Sequence, residues 1–159
     1  MNIDILAVGK LKENYFKQGI AEYGKRLRPY ASISIIEVAD EKAPENLSPA
    51  EIHRVLAVEG DRLSKKIADQ AYVVALAING QQLSSKQFAA KINELTIYGH
   101  SHIVFMIGGS NGLSSDILNR ADFRLSFSPF TFPHQLMRLI LIEQIYRAFK
   151  IIRHEPYHK

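Results

Sequence analysis

Short, largely apolar runs alternate along this chain with longer stretches whose hydrophobic residues recur every three or four positions. Residues 3–9 (IDILAVG) predict a strand, 15–27 an amphipathic helix, and 32–38 (SISIIEV) a second strand. A polar loop through Pro44 leads to Ser48-Pro49-Ala50-Glu51. Ser48 suits an N-cap, Pro49 the first helical position, and Glu51 completes a capping box, so a helix is predicted from there to about Ile67. Residues 72–78 (YVVALAI) predict a buried third strand that Asn79-Gly80 stops, after which Ser84 or Ser85 caps another helix. Residues 102–109 (HIVFMIGG) predict a fourth strand and 122–128 (DFRLSFS) a fifth, and a last helix opens at Pro133 and runs to about Ile152.

Strands apolar throughout, alternating with helices, predict an α/β fold with a mostly parallel sheet flanked by helices on both faces. No internal repeat, low-complexity tract or linker interrupts the 159 residues, which are expected to form one domain, 1–159. In such a sheet, ligands bind beyond the carboxyl ends of the strands. That singles out residues 76–80, 108–112 and 127–132.

The last helix is apolar around most of its circumference. Leu136, Met137, Leu139, Ile140, Leu141, Ile142, Ile145, Tyr146, Phe149, Ile151 and Ile152 cannot all face one sheet, whereas Glu143, Arg147, Lys150 and His154 form one polar stripe. Glu143 and Arg147 are spaced to pair at i,i+4. The excess apolar surface predicts a homodimer that buries part of this helix.

Composition adds an environment. The chain has no cysteine, which rules out disulfides and thiolate metal sites, and its N-terminal apolar run is too short for a signal peptide. A cytoplasmic protein without membrane or metal is expected. Net charge is +4, unevenly spread. Glu37, Asp40, Glu41, Glu45 and Glu51 make the early middle acidic, while Arg147, Lys150, Arg153, His154, His158 and Lys159 make the C-terminal end basic. The basic cluster reads equally as a footprint for a phosphate backbone or as cations that suit a helix C-terminus.

Two loops carry candidate chemistry. Gly108-Gly109-Ser110-Asn111-Gly112 is a poor dinucleotide fingerprint, because no acidic ribose ligand follows about 20 residues later. It matches the G-x-S-x-G nucleophile elbow, with Ser110 as nucleophile and Asp116 or Asp122 and then His134 as partners of a small serine hydrolase. It also reads as a glycine turn that lets backbone amides approach a flat ligand, or as a plain strand-to-helix turn. The second loop, residues 125–135, places Phe127, Phe130 and Phe132 among small polar residues and two prolines, Pro129 and Pro133. Prolines stiffen it, which suits a flat ring held by backbone hydrogen bonds; the bland reading is phenylalanines completing a core. His100 and His102 flank one residue and read as surface histidines rather than ligands. A non-catalytic RNA-binding module stands beside the enzyme readings.

Several segments together resemble a known family. They are Asn2-Ile3 through Val8-Gly9-Lys10, Ile107 with the glycine loop, Leu125-Ser126 followed by Pro133-His134-Gln135, Glu143-Gln144-Ile145-Tyr146-Arg147-Ala148, and Pro156-Tyr157-His158-Lys159. Their order and near full-length span resemble the SPOUT methyltransferases, in particular those that act on ribosomal RNA. The resemblance implies a trefoil knot near the C-terminus, a homodimer, S-adenosyl-L-methionine as methyl donor, and methylation of N3 of a pseudouridine in 23S rRNA within the large subunit or whole ribosome. Carried over by residue, it implies a cofactor pocket of Leu76, Gly108, Phe127, Ser128, Pro129, Phe130, Thr131 and Phe132. It implies a catalytic and substrate set of Arg147, Tyr157 and His158. Within that set, His158 suits a general base, Tyr157 a stacking or hydrogen-bonding partner, and Arg147 a stabiliser of charge on the imide oxygens. Lys159 stands where some relatives carry arginine, and an ammonium makes a point contact rather than a fork.

Overall fold

The computed structural model describes residues 1–159, in the order β1 (Asn2–Val8), α1 (Asn14–Leu27), β2 (Ser32–Val38), α2 (Pro49–Ser64), β3 (Tyr72–Gln82), α3 (Ser85–Ile97), β4 (His102–Ile107), α4 (Ser115–Arg120), β5 (Phe123–Ser126) and α5 (His134–Ile152). The five strands form one sheet in the order β2-β1-β4-β3-β5, and every pairing is parallel.

The period-two rule for strands shows in the two cores. Ile3, Ile5 and Ala7 of β1 and Ile103, Phe105 and Ile107 of β4 face the layer of α1, α3 and α5. The intervening Leu6, Val8, Val104 and Met106 face α2 and α4, where Leu63 and Ile117 meet them. Both faces are covered, which is why these strands are apolar without alternation.

Helix starts follow their capping chemistry. Ser48 accepts from the Glu51 amide at 3.3 Å while the Glu51 carboxylate accepts from the Ser48 amide at 2.7 Å, with Pro49 in the first turn. Ser84, not Ser85, caps α3, in the same reciprocal arrangement with Gln87. The helix expected to reach Ile67 ends at Ser64.

The larger departure is in β3. Asn79-Gly80 does not stop the strand. Leu76 pairs with Leu125, residues 77–80 arch out of the ladder, and the pairing resumes with Gln81 on the same Leu125 and Gln82 on Ser126. The turn signal marks a bulge inside a strand, because long-range pairing with β5 picks the chain up again beyond it.

β5 lies at the sheet edge remote from β1, yet the first turn of α5 lies against the end of β1, where Arg138 bonds the carbonyls of Val8 and Gly9. Residues 127–133 therefore cross back over the ends of β3 and β4. This crossing builds the site.

Candidate functional site: a cavity at the carboxyl ends of the sheet

A cavity of about 540 Å³ opens where the ends of β3 and β4 meet the crossing segment. Its walls come from Leu76, Ala77 and Ile78 on the arch, from Ile107 and most of the glycine loop, and from the stretch between Leu125 and Met137. These are the three strand-end segments that sheet geometry selected. That volume and its apolar walls suit a small organic ligand.

Of the cofactor residues expected from sequence, Leu76, Gly108, Phe127, Ser128, Phe130, Thr131 and Phe132 line the cavity. Pro129 is exposed and does not; it bends the loop without contributing wall. The loop is stiffened internally as well. The Ser126 hydroxyl donates to the Ser128 carbonyl at 3.3 Å, and the Ser128 hydroxyl accepts from the Phe130 amide at 3.0 Å. Phe130 stays 77% exposed, so its ring rims the mouth rather than filling core.

Gly109 and Gly112 pair across the glycine loop, with the Gly112 amide donating to the Gly109 carbonyl at 3.0 Å. Behind it, on the α2 side, lies Glu59, which is 5% exposed and accepts from the Glu41 amide at 3.0 Å. Burial holds this carboxyl above its ordinary range. Sequence reading missed Glu59, whose helix looks like an ordinary amphipathic one.

His134 lines the cavity, but not as part of a triad. Asp122 sits before β5, at the opposite end of the sheet, and its carboxylate accepts from the Val73 amide at 2.8 Å. No carboxylate hydrogen-bonds His134 in place of it, and Ser110 is not hydrogen-bonded to it. The elbow match of Ser110 is a loop coincidence. Burial, and then the Arg138 cation, depress the His134 pKa, so the ring stays neutral.

Arg147, Tyr157 and His158 come together, but away from the cavity. Backbone reversal at His154, which takes a left-handed φ of 54°, folds the tail back on α5. Glu143 then gathers the cluster, accepting from Arg147 Nη2 at 2.5 Å and from the Tyr157 hydroxyl at 3.0 Å. Arg147 also lies over the Tyr157 ring, 4.7 Å from its centroid, and Tyr157 stacks edge-on to Tyr146 at 4.8 Å. Desolvation, and then hydrogen bonding to Tyr23 and Glu143, push the Tyr157 phenol well above its usual value, so it stays a donor. Arg147 Nη1 donates to His158 Nδ1 at 3.3 Å. Since arginine only donates, Nδ1 is the unprotonated nitrogen of that ring. None of the three lines the cavity. Met137, which does, lies ten residues before Arg147 on α5, or about 15 Å of helix rise.

His102 and His100 are accounted for without a ligand role: His102 Nε2 bonds Asp4 at 2.7 Å, and His100 packs against Tyr72.

With this geometry in hand, comparison with known proteins is decisive. A family model described as predicted SPOUT methyltransferase matches residues 1–158. The chain belongs to the SPOUT methyltransferases. Relatives from Carboxydothermus hydrogenoformans (62% identical), Limosilactobacillus reuteri (63%) and Bacillus thuringiensis (58%) align over 159 residues, which is all of this chain and all of each relative. Each of those proteins is named ribosomal RNA large subunit methyltransferase H. The α/β architecture with a mostly parallel sheet expected from sequence is observed, here with every pairing parallel, and a SPOUT methyltransferase is an enzyme. No helix is long and apolar enough to cross a membrane.

Proposed function

We propose that this single-domain protein transfers a methyl group from S-adenosyl-L-methionine to N3 of a pseudouridine in 23S ribosomal RNA, in the cytoplasm and on the ribosome or its large subunit. The observation that carries this reading is the cavity at the carboxyl ends of β3, β4 and the crossing segment, in a chain aligned end to end with ribosomal RNA methyltransferases. The crossing of residues 127–133 supports a trefoil knot, a threading that ordinary connection rules make rare.

The lining fits the donor. Glycine and apolar walls suit an adenine ring, and the polar edges come from Ser110, Ser128, Thr131 and backbone. A histidine held neutral suits a cationic sulfonium, which a protonated ring would repel. When bound, S-adenosylmethionine supplies an already activated methyl carbon, so no metal is required.

The chain's own residues hold the nucleotide and take its proton. N3 of pseudouridine is an imide nitrogen whose proton must leave during attack. His158 receives it at Nδ1, once Arg147 has released that nitrogen and turned to the imide oxygens. Tyr157 remains protonated and donates a hydrogen bond or stacks on the base. Positioning of this kind is worth about 7–11 kcal/mol.

Because the tail lies well away from the cavity of its own chain, the complete site is built from two chains. Leu136 and Ile140 lie with Glu143 and Arg147 on the outward stripe of α5, and none of them is fully buried. A two-fold contact that lays this stripe antiparallel on its copy brings each C-terminal tail toward the partner's cavity. Calorimetry with S-adenosylmethionine and methylation of purified ribosomes by Arg147→Ala, Tyr157→Phe and His158→Ala test the reading. Donor affinity stays near wild type and turnover collapses. A His158→Ala enzyme with near-normal turnover overturns the assigned base, and a wild-type dimer that never takes up the donor overturns the function.

A further inference from the structure

The buried arginine of the fold is spent on a loop. Arg138 has no exposure at all, and its guanidinium reaches the Val8 carbonyl at 3.0 Å, the Gly9 carbonyl at 2.8 Å and the Glu37 carboxylate at 2.8 Å. Its Nε has no partner. Such a charge is a poor stabiliser, since a buried ion pair commonly does no better than a hydrophobic group of similar size. Stability alone gives no reason to keep a half-satisfied guanidinium there.

What Arg138 does hold is the segment between β1 and α1. Gly9 turns with a φ of 87°, Glu37 Oε2 accepts from the Leu11 amide at 2.7 Å, and Gln135 Oε1 accepts from the Lys12 amide at 3.0 Å. Glu37, Gln135 and Arg138, all remote in sequence, fix residues 9–12, of which Lys10 and Lys12 are exposed. Gln135 and Arg138 sit in the same first turns of α5 as the cavity residues His134 and Met137. The loop is therefore tied directly to the cavity wall.

The side chains this loop presents are Lys10 and Lys12. Both are exposed, and neither takes part in an ion pair. The Lys12 amide is bonded to Gln135, the neighbour of His134, and a Cβ on Gly9 would lie 3.9 Å from His134 Nε2, which places the loop beside the cavity wall. The following helix, α1, has Glu13 at its N-cap, whose side chain caps no amide, and no acidic residue in its first turn. Glu37, the carboxylate within the clamp, is already taken by Arg138.

We infer that residues 9–12 form a preset phosphate-gripping loop, in which Arg138, Glu37 and Gln135 are positioning residues and Lys10 and Lys12 contact the RNA backbone beside the target nucleotide. This rests on the proposed action on ribosomal RNA and assigns part of its recognition. Two cations carried on a fixed backbone next to the cavity set the approach of the strand, and the base then enters by its own contacts.

The test is ribosome binding as a function of salt, with donor affinity measured in parallel by calorimetry. Each phosphate contact contributes about 0.7–0.9 to the slope of log affinity against log salt. The double variant Lys10→Ala/Lys12→Ala is expected to lose roughly 1.5 from that slope and about tenfold or more in affinity at low salt, with S-adenosylmethionine binding unchanged. Both lysines are on the surface, so folding is not at stake. Lys65→Ala/Lys66→Ala, at the end of α2 away from the cavity, should leave the slope alone. A double loop variant that keeps the wild-type slope overturns the inference, as does an equal loss from the α2 control. Wild-type protein that binds ribosomes with the expected slope yet transfers no methyl overturns the proposed reaction and leaves the loop's role standing.

Discussion

Gly108→Ala puts the cavity's architecture to a direct test. Gly108 is buried where β4 ends, and a Cβ there would lie 2.2 Å from the Gly112 carbonyl oxygen and 2.4 Å from its carbon. Unstrained contact needs about 3.5 Å, so the glycine loop must open by roughly 1.3 Å at that point. The obstruction is backbone, which cannot rotate away like a side chain. A displacement of about 1 Å in a binding wall costs on the order of 100-fold, or about 2.8 kcal/mol. Overpacking adds about 1–3 kcal/mol of lost stability. Gly112→Ala is the matched control. Gly112 has a φ of 84° but nothing within 4 Å of a Cβ, so alanine there meets strain of about 1–2 kcal/mol and no clash. Titration calorimetry with S-adenosylmethionine, beside thermal denaturation, should show both variants folded and less stable. Gly108→Ala should lose donor affinity about 100-fold, and Gly112→Ala far less. Donor binding by Gly108→Ala within threefold of wild type, or an equal loss from Gly112→Ala, refutes the assignment of this loop as a binding wall.

Other consequences are testable singly. Ser84→Ala removes the cap that accepts the Gln87 amide at 3.2 Å and should cost about 1 kcal/mol by urea denaturation; an unchanged midpoint denies the cap any role. Glu59 has a folded pKa raised by burial, so the folded state binds more protons than the unfolded one just above the ordinary carboxylate range. Its contribution to stability is then greatest at low pH and falls as pH rises through the raised value. Glu59→Gln, which keeps an acceptor for the Glu41 amide, should raise Tm at neutral pH and lose that advantage in acid; a variant less stable at every pH contradicts this. Ile140→Asp, on the outward stripe of α5, should give a monomer mass by light scattering and little turnover, and a persisting dimer would move the interface elsewhere.

How much of this could be read from the chain depends on how far apart the interacting residues are. Strands sandwiched between helices announce themselves, because Ile5 to Val8 and Ile103 to Ile107 are apolar on both faces. Helix starts at Ser48 and Ser84 are equally local, each set by a residue three positions away. The three cavity segments followed from a sheet rule rather than from any motif. The misreading at Asn79-Gly80 came from the same locality. Two residues signal a turn, but the pairing that resumes the strand at Gln81 depends on Leu125, 44 positions later. Arg138 was invisible for a like reason: within an apolar helix it looks like an outlier, and its partner Glu37 is 101 residues distant. His134 drew attention for a triad it does not form, because the sequence shows residue types and order but not which end of the sheet each occupies. Full-length resemblance added what spacing could not, the expectation that the tail and the cavity serve one reaction.

That pairing leaves a physical puzzle, and the tail's own contacts answer it. In the single chain the cluster satisfies itself. Glu143 takes up Arg147 and the Tyr157 hydroxyl, while Arg147 occupies His158 Nδ1, the nitrogen proposed above as base. A site so arranged is quiet until something competes for Arg147. The imide oxygens of a pseudouridine and the RNA phosphates around it are such competitors, since guanidinium favours forked anionic or carbonyl partners. Releasing Nδ1 and stabilising the developing charge then become one movement. On this reasoning Arg147→Lys should be severely impaired although charge is kept, because an ammonium cannot hold a forked contact with the base. If Arg147→Lys turns over like wild type, the coupling between Arg147 and His158 is not the trigger.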